Sequence, residues 1–272
     1  MAGKPAIAPT SENTLVRQSS SNAERAADLL LILGEAGSLG MSLAQLAEAT
    51  GDAKSAVHRS LVALGSRGLV IQSGTRGNYR LGPTLYALAH RVPAVGEIIR
   101  RYRPALIATS ARVQRSTYLM MRAGVDIACL DLELGVIAAQ PFVSGIGGRI
   151  PLSVSPAGIV MLAKMDDRSR QVVFDQNASA LQQWKLSLDQ IEADIAAYRQ
   201  TGYVRGVRST LGIESLALAL PVLSDTWLGL EVAMSVLTPI GSLTQEQELE
   251  IVAVMREELA RIDEADRQAK AI

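Results

Sequence analysis

Residues 42–81 read SLAQLAEATGDAKSAVHRSLVALGSRGLVIQSGTRGNYRL, and the punctuation of this stretch decides the fold of the first third of the chain. Ser42 is a helix-capping residue, and Leu43, Leu46, Ala47 and Thr50 follow it at helical spacing. Gly51 closes that helix, because glycine takes the left-handed backbone of a C-terminal turn at little steric cost. Asp52 is then expected to cap the next helix, on which Ala53, Val57, Leu61 and Leu64 form one buried stripe. Ser55, Arg59, Val62 and Ser66 fall on the opposite arc, with Lys54 and His58 on its flank. Leu69–Gln72 and Asn78–Leu81 read as two strands joined by a glycine-containing loop that carries Arg76. Short helix, tight turn, longer helix and hairpin, in that order, make a winged helix-turn-helix pattern.

The polar residues of the longer helix crowd into its first two turns, where a recognition helix in the major groove of double-stranded DNA makes its base contacts. The candidate DNA contacts are Lys54, Ser55, His58 and Arg59 on that helix, with Arg76 and Asn78 on the wing. A basic wing tip suits phosphate or the minor groove, and Arg76 is the candidate for it. Helix-turn-helix units also serve as protein-interaction modules, so the pattern leaves that alternative open. Charge adds modest support. The formal net charge of zero hides 12 Lys/Arg against 7 Asp/Glu over residues 1–103, and 15 against 20 over 104–272. A mildly basic first part beside an acidic remainder fits nucleic-acid binding confined to one end.

Working outward, residues 1–21 hold Pro5, Pro9 and the run Ser19-Ser20-Ser21 with few large apolar groups, and are expected to form a flexible arm. Ala26, Leu29, Leu30 and Leu33 mark a first helix, with Asn22 as its expected cap. The winged domain thus spans 22–82, and 83–100 reads as a linker helix. From there to residue 272 strands and helices alternate. Gly96–Val113 reads as a helix with a basic patch at Arg100, Arg101 and Arg103, which either touches DNA or faces solvent. Thr117–Met121, Ile127–Glu133, Val136–Phe142, Tyr203–Arg208, Ser215–Val222 and Gly229–Leu237 read as strands. Pro151–Met165, Asp167–Gln176, Leu188–Thr201 and a long helix capped by Thr244 read as helices. The class is α+β, with an antiparallel sheet flanked by helices.

Composition sets the outer bounds. At 48% hydrophobic and 20% charged, the 272 residues describe a globular chain long enough for two domains. The apolar runs Leu29–Leu33 and Leu216–Leu220 fall far short of the ~20 residues that span a bilayer, and no signal-peptide segment opens the chain. No membrane association is expected, and the expected location is cytoplasmic. A lone Cys129 excludes an internal disulfide, and with two histidines no zinc cluster is expected.

The pieces SNAERAADLLLILGEAGSLGMSLAQLAEATGDAKSAVHRSLVALGSRGLV and GNYRLGPTLYALA resemble the N-terminal domain of IclR-type transcriptional regulators. GGRIPLSVSPAGIVMLAKM, YRQTGYVRGVRSTLGIESLALALPV and the closing helix are similar to that family's GAF-like effector-binding domain, which would then occupy 101–272. The resemblance implies a homodimer or dimer of dimers on a partly palindromic operator. It also implies a small organic effector, often a carboxylate or an aromatic compound, that changes DNA affinity. Carried over position by position, the implied pocket includes Pro156, Ala157 and Gly158 at a helix start, Arg205, Ser215, Ser235 and Leu237. Pro156 has no N–H to offer an effector carboxylate, which leaves Ala157 and Gly158 as donors. Leu237 stands where some members carry a hydroxyl, and Arg205 where an acidic residue occurs. These departures suggest an anionic effector with an apolar body.

Two other readings compete. An enzyme is disfavoured because no nucleophile elbow, P-loop, dinucleotide fingerprint or metal-ligand cluster appears, and no cofactor is expected. Gly145–Gly148 reads only as a loop, Cys129 as a small buried residue, and His58 and His90 both lie outside the C-terminal domain. The remaining alternative is a constitutive DNA-binding protein whose C-terminal domain only oligomerises.

Overall fold

A computed structural model describes residues 21–74, 77–137, 139, 143, 145–210, 213–222 and 229–270, with backbone alone for 209, 210, 213, 214 and 265–270. The chain divides into two compact units, 1–87 and 88–272.

In the first unit, helix α1 (Ser21–Ala36) leads through a 3-10 turn (Gly37–Leu39) to α2 (Leu43–Thr50) and α3 (Lys54–Ser66). Strands β1 (Val70–Gln72) and β2 (Tyr79–Leu81) form an antiparallel hairpin, and α4 (Pro83–Ala89) follows. Leu29 and Leu33 of α1 meet Leu46 of α2, Val57, Leu61 and Leu64 of α3, and Val70 and Tyr79 of the hairpin in one core. Ser42 and Gln45 form a reciprocal capping box at the start of α2, and Gly51 ends that helix at φ 68°. The hairpin is fixed to the turn before α2 by the Met41–Tyr79 bridge. At Gly40 an added Cβ would stand 2.1 Å from the Tyr79 carbonyl oxygen, so only glycine permits this approach.

Three local expectations are corrected. Helix α1 already includes Ser21, so Asn22 lies inside it, where its Oδ1 accepts from Arg25 at 2.9 Å. The cap position of α3 belongs to Ala53, which is exposed rather than part of the buried stripe. Asp52 stands one residue too early to cap, and its carboxylate accepts two hydrogen bonds from Arg25 of α1, at 2.7 and 3.0 Å. The start of α3 is therefore tied to α1 by an ion pair.

In the second unit, α5 (Val95–Val113) precedes β3 (Ser116–Ala123), β4 (Asp126–Glu133) and β5 (Arg149–Pro151). A 3-10 turn (Leu152–Val154) leads to α6 (Pro156–Leu162), α7 (Asp167–Gln176), α8 (Ala178–Gln183) and α9 (Leu188–Thr201). Strands β6 (Val204–Thr210), β7 (Ile213–Pro221) and β8 (Val232–Pro239) precede the long α10 (Gln245–Lys270). The segment expected as one linker helix thus holds α4 and the first turns of α5. Ala94, with φ 64°, precedes α5 at its cap position.

The sheet order is β5-β4-β3-β8-β7-β6, antiparallel throughout. Strand alternation gives it two cores. Leu119, Leu218, Leu220, Met234 and Val236 face α5 and α10. Met120, Cys129, Ala217, Ala219, Ala233 and Leu237 face α6 and the helices beyond it. The strand expected over 136–142 lies largely outside the described residues, although Ile137 bridges Arg115. The expected single helix 151–165 is instead the end of β5, the 3-10 turn and α6. The basic patch on α5 is partly neutralised: Arg101 pairs with Asp263, and Arg103 with Asp131 and Glu133.

Candidate functional site

The first candidate surface is the start of α3. Val57, Leu61 and Leu64 bury one face of the helix, which turns Lys54, Ser55, His58 and Arg59 to solvent together. Positions 54, 55, 58 and 59 are neighbours on a helix surface, so these four side chains make one continuous polar patch. Among the described residues, none holds Lys54, His58 or Arg59 in a hydrogen bond or ion pair, which leaves their donors available. Val62, 58% exposed, extends the patch with an apolar group.

On the wing the two expected residues part company. Arg76 lies outside the described residues. Asn78 is half-buried, and its side-chain amide donates to the Leu39 carbonyl at 3.1 Å, which ties the hairpin to the turn before α2. That bond gives Asn78 a structural task within the unit. At the hairpin tip, an added Cβ on Gly77 would lie 1.7 Å from the Ser73 carbonyl oxygen, so the wing bend requires glycine there.

The second candidate is a cavity between the sheet and α6. It is a small space of about 50 Å³, open at its mouth and largely apolar. Its floor comes from alternate positions of three adjacent strands: Tyr118 and Met120 on β3, Ser235 and Leu237 on β8, and Ala217 on β7. The register sets Tyr118 opposite Ser235 and Ala217 opposite Leu237. Ser155, Pro156 and Ala157 supply the roof, with Val143 and Ile150 at the side. Small residues make the space possible. At Gly206 on β6 an added Cβ would fall 2.4 Å from the Pro156 ring, so α6 rests directly on the sheet there.

Of the expected pocket residues, Pro156, Ala157, Ser235 and Leu237 line this cavity. Gly158 does not. It packs against the 3-10 turn, where an added Cβ would stand 2.0 Å from the Leu152 carbonyl oxygen. Ser215 is one rung beyond Ala217 on the same face of β7, and its buried hydroxyl has no hydrogen-bond partner among the described residues.

Arg205 is the clear correction. It pairs with Leu218, whose side chain faces the α10 core, and its guanidinium donates to both carboxylate oxygens of Glu248 at 2.7 and 3.0 Å. The side-chain period of two puts Val204 and Arg208 on the cavity's face of β6 and Arg205 on the other.

Tyr118, Met120, Val143, Ile150, Ser155 and Ala217 were not anticipated. The alternation of β3 was readable, but its neighbour β8 lies more than a hundred residues later in sequence, and only the pairing unites them. Arg208 was also missed. It is buried, donating to the Val154 carbonyl at 2.7 Å and to Asp194 at 3.2 Å, so it staples β6 to the turn before α6 and to α9. Burial lowers its pKa, opposed by Asp194.

The medium on this face is dry. Burial, with the Asp131 carboxylate nearby, pushes the Cys129 thiol up to about 12. Burial likewise raises the Tyr118 hydroxyl, reinforced by Cys129 and opposed by a hydrogen bond with Ser116. Among the described residues no group of histidine, cysteine and acidic side chains is arranged to hold a metal, and no helix is long and apolar enough to cross a membrane.

Residues 22–74 match the model of the IclR helix-turn-helix domain. Over 86% of its length the chain is 28% identical to the transcriptional regulator TtgV of Pseudomonas putida, 88% of which is covered. The first unit thus carries an IclR-type helix-turn-helix domain, and the chain is similar to transcriptional regulators over most of its length. Its fold follows the family's along nearly the whole chain. A putative IclR regulator from a Silicibacter species superposes with a TM-score of 0.72 at 24% identity, covering 90% of this chain and 95% of that one. An IclR homologue from Microbacterium hydrocarbonoxydans, solved with 4-hydroxybenzoate, gives 0.66 at 18% identity, covering 89% and 97%. The chain is a DNA-binding transcriptional regulator, and the helix-turn-helix match falls on the unit that carries α3.

Proposed function

We propose that this regulator binds a partly palindromic operator as a homodimer or dimer of dimers, acts in the cytoplasm, and senses a small organic molecule held in the cavity beneath α6. The cavity is the observation that carries the sensing half. It is a concave, largely apolar site in the second unit, lined by Ser155, Ser235 and Tyr118 among apolar residues. The 4-hydroxybenzoate held by the Microbacterium homologue supports a small organic ligand. A domain that only oligomerises has no need of such a space.

On the DNA side, Arg59, Lys54, Ser55 and His58 are the base-reading candidates, and Arg76 a phosphate contact. A single unit carries few positive charges, so its electrostatic affinity is weak, and two recognition helices on one operator supply the rest. Regulation then follows from linkage. The ligand changes DNA affinity only by binding the DNA-competent and incompetent arrangements unequally. Genomic footprinting to recover the operator, followed by a titration of small organic compounds against the operator complex, tests both halves. Binding that stays unchanged by any compound that occupies the cavity overturns the sensing role.

A further inference from the structure

We infer that the molecule taken by this cavity is uncharged: a small apolar body with at most a hydroxyl, amide or similar neutral polar group, and not a carboxylate. The inference rests on the cavity being the effector site. The expectation of an acid depended on Arg205, and that cation is held by Glu248 on the opposite face of the sheet.

Among the described residues no other cation replaces it. Arg208, the nearest in register to the orphaned Ser215, is committed to the Val154 carbonyl and to Asp194. Arg149 adjoins Ile150 on β5, so strand alternation puts it on the other face of the sheet, where it pairs with Asp126. Among the described residues the arginines near the cavity are thus engaged elsewhere.

What remains for a ligand's polar group is hydroxyl chemistry. Ser155 and Ser235 line the cavity, and one rung away the buried Ser215 hydroxyl is unsatisfied among the described residues. Each hydroxyl both donates and accepts, which suits a neutral alcohol, phenol or amide better than an anion that only accepts. At the start of α6, Pro156 has no N–H, and the Ala157 and Gly158 amides are neutral donors with no cation beside them. A carboxylate entering this space would lose its water and gain no cation, which disfavours the charged form. Cys129, opposite Met120 in the sheet, is subject to the same desolvation and keeps its proton.

The test uses the full chain and matched pairs that share a body and differ in charge: 4-methylphenol against 4-methylbenzoate, indole against indole-2-carboxylate, and 1-hexanol against hexanoate. Calorimetry at pH 7.5, a working value about three units above ordinary carboxylate pKa values, is expected to give at least one neutral member binding tenfold or more tighter than its acid. Ala217→Leu, which fills the floor, and the milder Ala157→Val are expected to remove or weaken that binding while thermal unfolding stays cooperative. Arg205→Ala is expected to leave the affinities within twofold. An acid that binds as tightly as its neutral partner, and is lost in Ala217→Leu, overturns the uncharged ligand but leaves the cavity as the site. A tenfold loss in Arg205→Ala likewise overturns it. Binding by no compound, or binding indifferent to both cavity substitutions, overturns the cavity reading and the inference with it.

Discussion

Helices α3 and α6 carry the proposed DNA contacts and the proposed sensing site, and they solve opposite problems. Helix α3 spends one face on the core, through Val57, Leu61 and Leu64, and leaves the other free for Lys54, Ser55, His58 and Arg59. Helix α6 has no free face. All seven of its residues are buried, and the two that line the cavity also hold the helix on the sheet. Reading and folding are thus separable on α3 and inseparable on α6. A DNA-contact substitution is expected to change binding without changing stability, whereas a change at the sensing site is expected to do both.

Gly158→Ala is the strongest way to break that contrast. The added methyl would meet the Leu152 backbone at 2.0 Å, and a backbone oxygen cannot swing aside as a side chain can. A loss of about 3 kcal/mol in the stability of the second unit is expected, at the upper end of ordinary overpacking, with the cavity roof displaced. Denaturant unfolding checks the first effect and ligand calorimetry the second. A stable variant with unaltered ligand binding would show that α6 has room the geometry denies.

Arg59→Ala tests the other side. It is expected to weaken operator binding by about 1–3 kcal/mol and relax preference at one base pair, with stability unchanged within about 0.5 kcal/mol. Arg76→Ala is expected to weaken all DNA sequences alike and to flatten the salt dependence. Gel-shift titrations on operator variants at two salt concentrations separate the two. A uniform loss for Arg59→Ala, with sequence preference intact, would remove it as a base reader.

The same contrast explains what could be read before the structure. The recognition surface depends on a single helix, and its 3.6-residue period writes the buried and exposed faces into consecutive residues. Its errors were local: Asp52 was misplaced by one position because Arg25, 27 residues earlier, claims its carboxylate. The cavity depends on register between strands far apart in sequence. Pro156, Ala157, Ser235 and Leu237 were reachable through the family resemblance. Tyr118 and Ala217 belong with them only because β8 lies between β3 and β7. Arg205 failed for the same reason. A one-residue step along a strand exchanges the faces of the sheet, and the residue pattern of β6 alone does not say which face carries α6.

Cys129 offers a gentler probe of the second unit. With its pKa near 12, about one thiol in ten thousand is ionised at pH 8, and the thiolate is the reactive form. Aromatic disulfide reagents are expected to modify it only as fast as the unit opens, and rapidly in denaturant. A cavity-filling ligand is expected to slow the reaction further by stabilising the closed unit. Fast labelling of the native protein would show that this face of the sheet is wetter than its burial implies.

The smallest effect is expected at the Arg25–Asp52 pair, which joins α1 to the start of α3 near the surface of the first unit. The hydrogen bond from Arg25 holds the Asp52 carboxyl below its ordinary range, against a smaller opposing desolvation. A carboxyl depressed in the folded state stabilises it in full above the unfolded pKa of about 3.9, and the contribution fades as pH falls through the folded value. The difference in thermal midpoint between wild type and Asp52→Asn should therefore stay level from about pH 8 to pH 5 and close below that. Added salt should shrink it throughout, because the pair is accessible to screening. A difference that already closes near pH 6 would point to another group. A level difference that persists through strong acid would mean that Asp52 acts by packing, not charge. The pair's worth lies less in stability than in where it sits. It fixes the first turn of the helix that carries the proposed DNA contacts, so Asp52→Asn is expected to weaken operator binding more than it lowers the melting point, the pattern that separates positioning from support.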